Sequence, residues 1–142
     1  LNAAFFGNYA ILNPKTVYPN IDFSGRTLIP VRQGYTKCSV VPVAESAIIT
    51  DDVSIASAVP KSGLAVLLVS KGDVVLNGRE YGFIGGCCGL IAPDTMLFNG
   101  SLSSHRDGEK IRAFLSSFGV RAEEAGDFQL TDIGSILPLA EK

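Results

Sequence analysis

Tyr81 to Gly100, YGFIGGCCGLIAPDTMLFNG, is the stretch on which the fold turns. Its pattern predicts an aromatic-apolar strand (Tyr81, Phe83, Ile84), a Gly-Gly-Cys-Cys-Gly turn from Gly85 to Gly89, and a second apolar strand (Met96, Leu97, Phe98) that ends in Asn99-Gly100. No side chain shields the backbone at Gly85, Gly86 and Gly89, so another strand or a ligand can approach closely there. Two thiols share the turn. They are read either as buried cysteines in a tight bend or as part of a site.

The same pattern recurs along the chain. Cys38 to Thr50 (CSVVPVAESAIIT) slides onto Cys87 to Asn99 (CCGLIAPDTMLFN), so that Cys meets Cys, Glu45 meets Asp94, and Ile48-Ile49 meet Leu97-Phe98. Gly7-Asn8 then falls on Ala44-Glu45, and Ala10-Ile11-Leu12 on Ala47-Ile48-Ile49. After each of these strands comes a polar or helical stretch, and then a step into another strand: Ser24-Gly25, Ser62-Gly63 and Phe118-Gly119.

The crossovers differ. Ile111, Phe114, Leu115 and Phe118 form an amphipathic stripe with Ser104 or Asp107 as N-cap and Gly119 just past the end. Asp51 or Asp52 caps a shorter helix carrying Val53, Ile55, Ala56 and Val59, which Pro60 helps to end. Pro14 and Pro19 leave room for little more than one turn in the first crossover.

Strand, crossover, strand at a spacing of roughly 40 to 50 residues predicts an α/β fold of repeated βαβ units, which bury their faces only by packing around a shared core. The expected units span 1–32, 33–72 and 81–126 of a single domain. A closing segment, 127–142, contains Leu130 to Leu139 (LTDIGSILPL).

Composition supports a core-rich globular chain and excludes several classes. The 142 residues are 46% hydrophobic and 18% charged, and no apolar run reaches the roughly 18 residues that span a bilayer. Basic residues are scattered singly and the net charge is −2, so no stripe tracks a nucleic-acid backbone. Three cysteines, two adjacent, do not form a disulfide framework and point to free thiols in a reducing cytosol. Cys87 and Cys88 lack the CxxC or histidine partner of a zinc site, and the glycine turn has neither P-loop nor dinucleotide spacing. No metal, nucleotide or other cofactor is therefore expected.

Three segments in order carry a family likeness: Gln33 to Ser39 (QGYTKCS), Tyr81 to Gly86 (YGFIGG), and Asp132 to Leu139 (DIGSILPL). With them the chain resembles the pentein superfamily of guanidino-group-modifying enzymes, and most closely an uncharacterised bacterial family of that fold. The resemblance covers nearly the whole chain. It implies a propeller-like α/β fold of five βαβ units around a central cleft, of which three and a part are present here. Roughly one and a half units are then expected upstream of Leu1 as a partner segment of the same protein.

Penteins that act on arginine-like substrates use a cysteine nucleophile near the C-terminus, a histidine after an earlier strand, and carboxylates that match the planar guanidinium. This chain departs from that pattern where the nucleophile is expected: Gly134 to Leu139 contains no cysteine, and Ser135, with no adjacent base, is a poor substitute. Cys38, Cys87 and Cys88 remain as candidate thiolates, Cys38 favoured by Lys37 and Cys87 by the backbone N–H groups of the glycine turn. His105, the single histidine, is either a general base or a polar residue where a helix begins. Gly85, Gly86, Asp132 and Ser135 are the candidate ligand-binding residues. Glu45 and Asp94 precede strands and are read as solvated turn carboxylates.

Two functions follow from the resemblance. The favoured one is a non-catalytic or degenerate pentein that binds a small guanidino or amidino cation or a protein partner. The alternative is a cysteine-dependent hydrolase or amidinotransferase acting on an arginine-like substrate.

Overall fold

The computed structural model describes residues 2–139 and is a mixed α/β chain. Residue 1 and residues 140–142, at the ends of the first and closing segments, lie outside the described residues. Three sheets of three strands each share one topology. The first holds β1 (Ala3–Phe6), β2 (Tyr9–Leu12) and β3 (Thr27–Pro30); the second β4 (Val40–Ala44), β5 (Ala47–Thr50) and β6 (Ala65–Leu68); the third β7 (Cys88–Ala92), β8 (Thr95–Phe98) and β9 (Arg121–Glu124). In each, the first strand pairs antiparallel with the middle strand, which pairs parallel with the third.

The leading strand is an addition to the expected βαβ unit. It arises because a two-residue loop, Gly7-Asn8, Glu45-Ser46 or Pro93-Asp94, turns the chain back on itself before the parallel crossover begins. These loops also correct the register of the repeat. The carbonyls of Asn8, Ser46 and Asp94 accept from Thr27, Ala65 and Arg121, the first residues of the third strands. Ser46, not Glu45, is therefore the counterpart of Asp94. A slip of one residue in the alignment exchanges the two faces of a strand. Sequence matching missed it because β5 is buried along its whole length, with apolar residues on both faces.

The steps into the third strands turn at glycines with positive φ: 76° at Gly25, 76° at Gly63 and 71° at Gly119. Ahead of them, α2 (Val53–Ala58) starts at Asp52, whose Oδ1 accepts from Ile55 N at 2.9 Å, and a 3₁₀ turn over Val59–Ser62 follows at Pro60. The 10-residue α3 (Gly108–Ser117) buries Ile111 and Leu115, and Phe114 packs on Phe118 with ring centroids 5.1 Å apart. Neither expected α3 cap is made by a side chain. Asp107 stands at the N-cap but accepts from Ser70 N instead, and the Ser104 hydroxyl accepts from Leu130 N. The first crossover contains turns and no helix. A single helical turn, α1 (Thr36–Ser39), leads into β4.

One apolar cluster joins the second and third sheets under α3 (Ile49, Val69, Met96, Phe98, Ile111, Leu115), and another joins the first and second under α2 (Phe6, Ile11, Ile48, Ile55, Val59). The leading strands β1, β4 and β7 lie side by side. The last described segment adds no fourth sheet. It bridges Val75 through Thr131 and Ser101 through Gln129.

Replacing Asp52 by alanine tests the cap that starts α2. Its carboxylate also receives Gln33 Nε2 at 2.9 Å, tying the start of α2 to the loop before α1. The expected loss is about 1–2 kcal/mol in urea denaturation. An unchanged midpoint would show that neither contact matters.

Candidate functional site

Tyr81 to Ile84 does not form the strand its aromatic pattern predicts, and the turn expected from Gly85 to Gly89 ends early. Ile84–Gly86 forms a 3₁₀ turn, and the strand begins at Cys88. The reason lies in two distant carboxylates. Phe83 N donates to Asp132 Oδ2 at 3.0 Å and Ile84 N to Asp51 Oδ2 at 2.9 Å, so these two N–H groups serve no sheet neighbour. The closing segment is pinned in return, because the Gly86 carbonyl accepts from Ile133 N at 2.9 Å and Ser135 N at 3.1 Å.

Asp132 is engaged at both oxygens, since Oδ1 accepts from Gly134 N at 2.9 Å. It packs directly on the Cα of Gly86, where any Cβ would overlap its carboxylate. Asp51 is different. It is buried, its Oδ1 has no hydrogen-bond partner, and burial raises its pKa from 3.8 to about 6, against the lowering effects of Ile84 N and Lys71. Asp51 lines a cleft of about 420 Å³ formed with Val53, Leu68, Val69, Ser70, Lys71, Asp107 and Lys110. The cleft opens at the C-terminal ends of the parallel strands β5 and β6, where α/β sheets commonly receive ligands.

Of the two readings of the thiols, burial in a tight bend describes Cys87 and Cys88. Cys87 and Cys88 are buried and donate to the Ile84 carbonyl at 3.2 and 3.4 Å. The Cys87 side chain and burial push Cys88 well above its usual value. For Cys38, burial and the negative charge of Asp132 outweigh Lys37 and raise its pKa as well. Alkylation at pH 7.5 should therefore be slow at all three, with half-buried Cys38 reacting first. Rapid labelling of any of them below pH 8 would overturn that reading.

His105 is buried at the start of α3, away from these groups. Its Nδ1 accepts from Asp107 N at 2.9 Å, its Nε2 has no partner, and Asp73 Oδ2 lies 4.0 Å from Nδ1. It lines neither the Asp51 cleft nor the cavity described next.

Gly85, Cys88 and Ser135 come together in the wall of a cavity of about 320 Å³ between β1, β4, β7 and the closing segment. The Ser135 hydroxyl accepts from Lys37 Nζ at 3.1 Å, so its partner is an ammonium and not a base. Glu45 lies in a hairpin loop, and Asp94 Oδ1 accepts from the Thr95 hydroxyl at 2.9 Å.

Asp51 and the Lys37–Ser135 contact were not singled out as a site by the sequence. For Asp51 a signal existed: a carboxylate directly after an unbroken apolar strand, beside a second carboxylate that suffices as the cap. Among the described residues, no three His, Cys, Asp or Glu side chains cluster as a metal site, and no helix is long and apolar enough to cross a membrane.

A family model, the family of unknown function DUF6873, matches residues 1–137. No curated protein and no solved structure matches the chain.

Proposed function

We propose that this chain, which belongs to the family of unknown function DUF6873, is a non-catalytic binding module of the pentein type that takes a small guanidino or amidino cation at Asp51. The observation that carries the reading is the unpartnered Oδ1 of Asp51. A buried carboxylate oxygen without a donor costs stability, and a cationic N–H donor is the group that offsets the cost. Asp107 borders the same cleft, while Lys71 and Lys110 stand at its mouth and suit a ligand that carries its own carboxylate. Three sheets of one topology with adjoining leading strands support the propeller-like arrangement that this reading includes. The hydrolase or transferase alternative lacks support at the thiols, each of which is held protonated or buried.

The test is calorimetric titration with arginine, agmatine and acetamidine, each run at pH 7.5 and pH 5. Hydrogen bonds hold the neighbouring carboxyls of Asp52, against its desolvation, and of Asp107 below the usual carboxylate range, so Asp51 is the carboxyl that changes. Affinity should fall about tenfold at pH 5 as Asp51 takes up a proton. It should be lost in Asp51→Asn, which keeps an acceptor for Ile84 N. Binding indifferent to both changes would sink the proposal, as would no binding by any of the three.

A further inference from the structure

The central cavity has a chemistry opposite to that of the Asp51 cleft. Its walls are Ala4 and Phe5 from β1, Val41 and Pro42 from β4, Leu90 from β7, and Ile136 to Pro138 from the closing segment. Lys37 is the single charged side chain among the lining residues, and no carboxylate forms an ion pair with it among the described residues. Its ammonium instead donates to Ser135 Oγ.

Ser135 is the one described non-glycine residue with positive φ, at 114°. Such a backbone is strained for a residue with a Cβ, and it is retained where surrounding contacts enforce it. Here the enforcing contact is Ser135 N on the Gly86 carbonyl, which holds the hydroxyl over Lys37. An ammonium and a hydroxyl at one point of an otherwise apolar chamber provide an anchor for one anionic headgroup. The rest of the chamber offers only van der Waals contact. Its volume, about 320 Å³, lies at the lower end of the range for small-molecule pockets.

We infer that this cavity binds a small monocarboxylate with an unbranched apolar body, the carboxylate on Lys37 and Ser135 and the hydrocarbon along Phe5, Val41, Leu90 and Leu137. The headgroup gains a charge-assisted hydrogen bond at the part-buried Lys37–Ser135 contact, and each methylene leaves water for an apolar wall. A guanidino cation would meet a like charge here. The site is thus separate from the one proposed at Asp51, and neither requires the other.

Titration of the full chain by proton–nitrogen correlation NMR with butanoate, hexanoate and octanoate tests the inference, each kept below its micelle concentration. Affinity should rise about fourfold per added methylene until the cavity is filled. The perturbed amides should be those of Lys37, Gly85, Leu90 and Ser135. Lys37→Met should weaken hexanoate about tenfold or more, and Lys37→Arg should restore much of the loss. Hexanol, with the same body and no charge, should bind more weakly than hexanoate. Asp51→Asn should leave hexanoate affinity unchanged, which keeps this result distinct from the cation test. Absence of saturable binding, equal affinity in Lys37→Met, or equal affinity for hexanol would each overturn the assignment.

Discussion

Gly86→Ala is expected to destabilise the fold by about 3 kcal/mol or more, because the new Cβ has no space to occupy. It would overlap Oδ1 and Cγ of Asp132 and come within 2.6 Å of Oδ2. This carboxylate cannot simply turn away. Its oxygens hold Phe83 N and Gly134 N, and its own N donates to the Val75 carbonyl at 2.7 Å. Swinging it out would strand two backbone donors, at about 1–3 kcal/mol each where they are buried. Urea denaturation measures the loss, and a double-mutant cycle with Asp132→Ala locates it, since alanine at both positions removes the overlap. A loss below about 1 kcal/mol for Gly86→Ala would show that the closing segment yields easily.

The second large effect concerns pH. Burial raises Asp51 from 3.8 to about 6, so the folded state binds its proton more tightly than the unfolded chain does. The sign follows directly. The stabilising contribution of protonated Asp51 is fully present below about pH 4 and is lost as pH rises through about 6. A displacement from 3.8 to about 6 corresponds to roughly 3 kcal/mol.

Other carboxylates act in the opposite direction at lower pH. Hydrogen bonds from the Arg106 side chain and backbone bring Asp73 down to about 2, and Asp107 is lowered by Ser70 N, so their contributions are lost only on strong acidification. Subtracting Asp51→Asn isolates the Asp51 term. The stability difference between wild type and variant should shift by about 2 kcal/mol against the wild type between pH 4 and pH 7. A pH-independent difference would mean that Asp51 is solvated, and the argument for a cation at its Oδ1 would fall with it.

The elements legible in the sequence are those whose cause is local. Ile111, Phe114, Leu115 and Phe118 recur with the helical period and form the stripe of α3, and Asp52 caps α2 through a contact three residues away. Gly25, Gly63 and Gly119 mark turns that only their own φ values require. From such signals the α/β class and the middle strands follow.

The site depended on pairings between residues far apart. Nothing in Tyr81 to Ile84 distinguishes a strand from a clamped turn, because the deciding acceptors, Asp51 and Asp132, lie 33 and 49 residues away. The sequence left the cysteines open between buried thiols and a site, and only packing shows Cys87 and Cys88 buried with their thiols on the Ile84 carbonyl. Lys37 meets Ser135 across 98 residues, and its position in a chamber otherwise without charge exists only once three leading strands adjoin. Periodicity and capping act within a turn or two of chain, so sequence alone determined α2, α3, the middle strands and the glycine turns. Burial, proton affinity and cavity shape depend on which elements meet, and only the tertiary structure decided them.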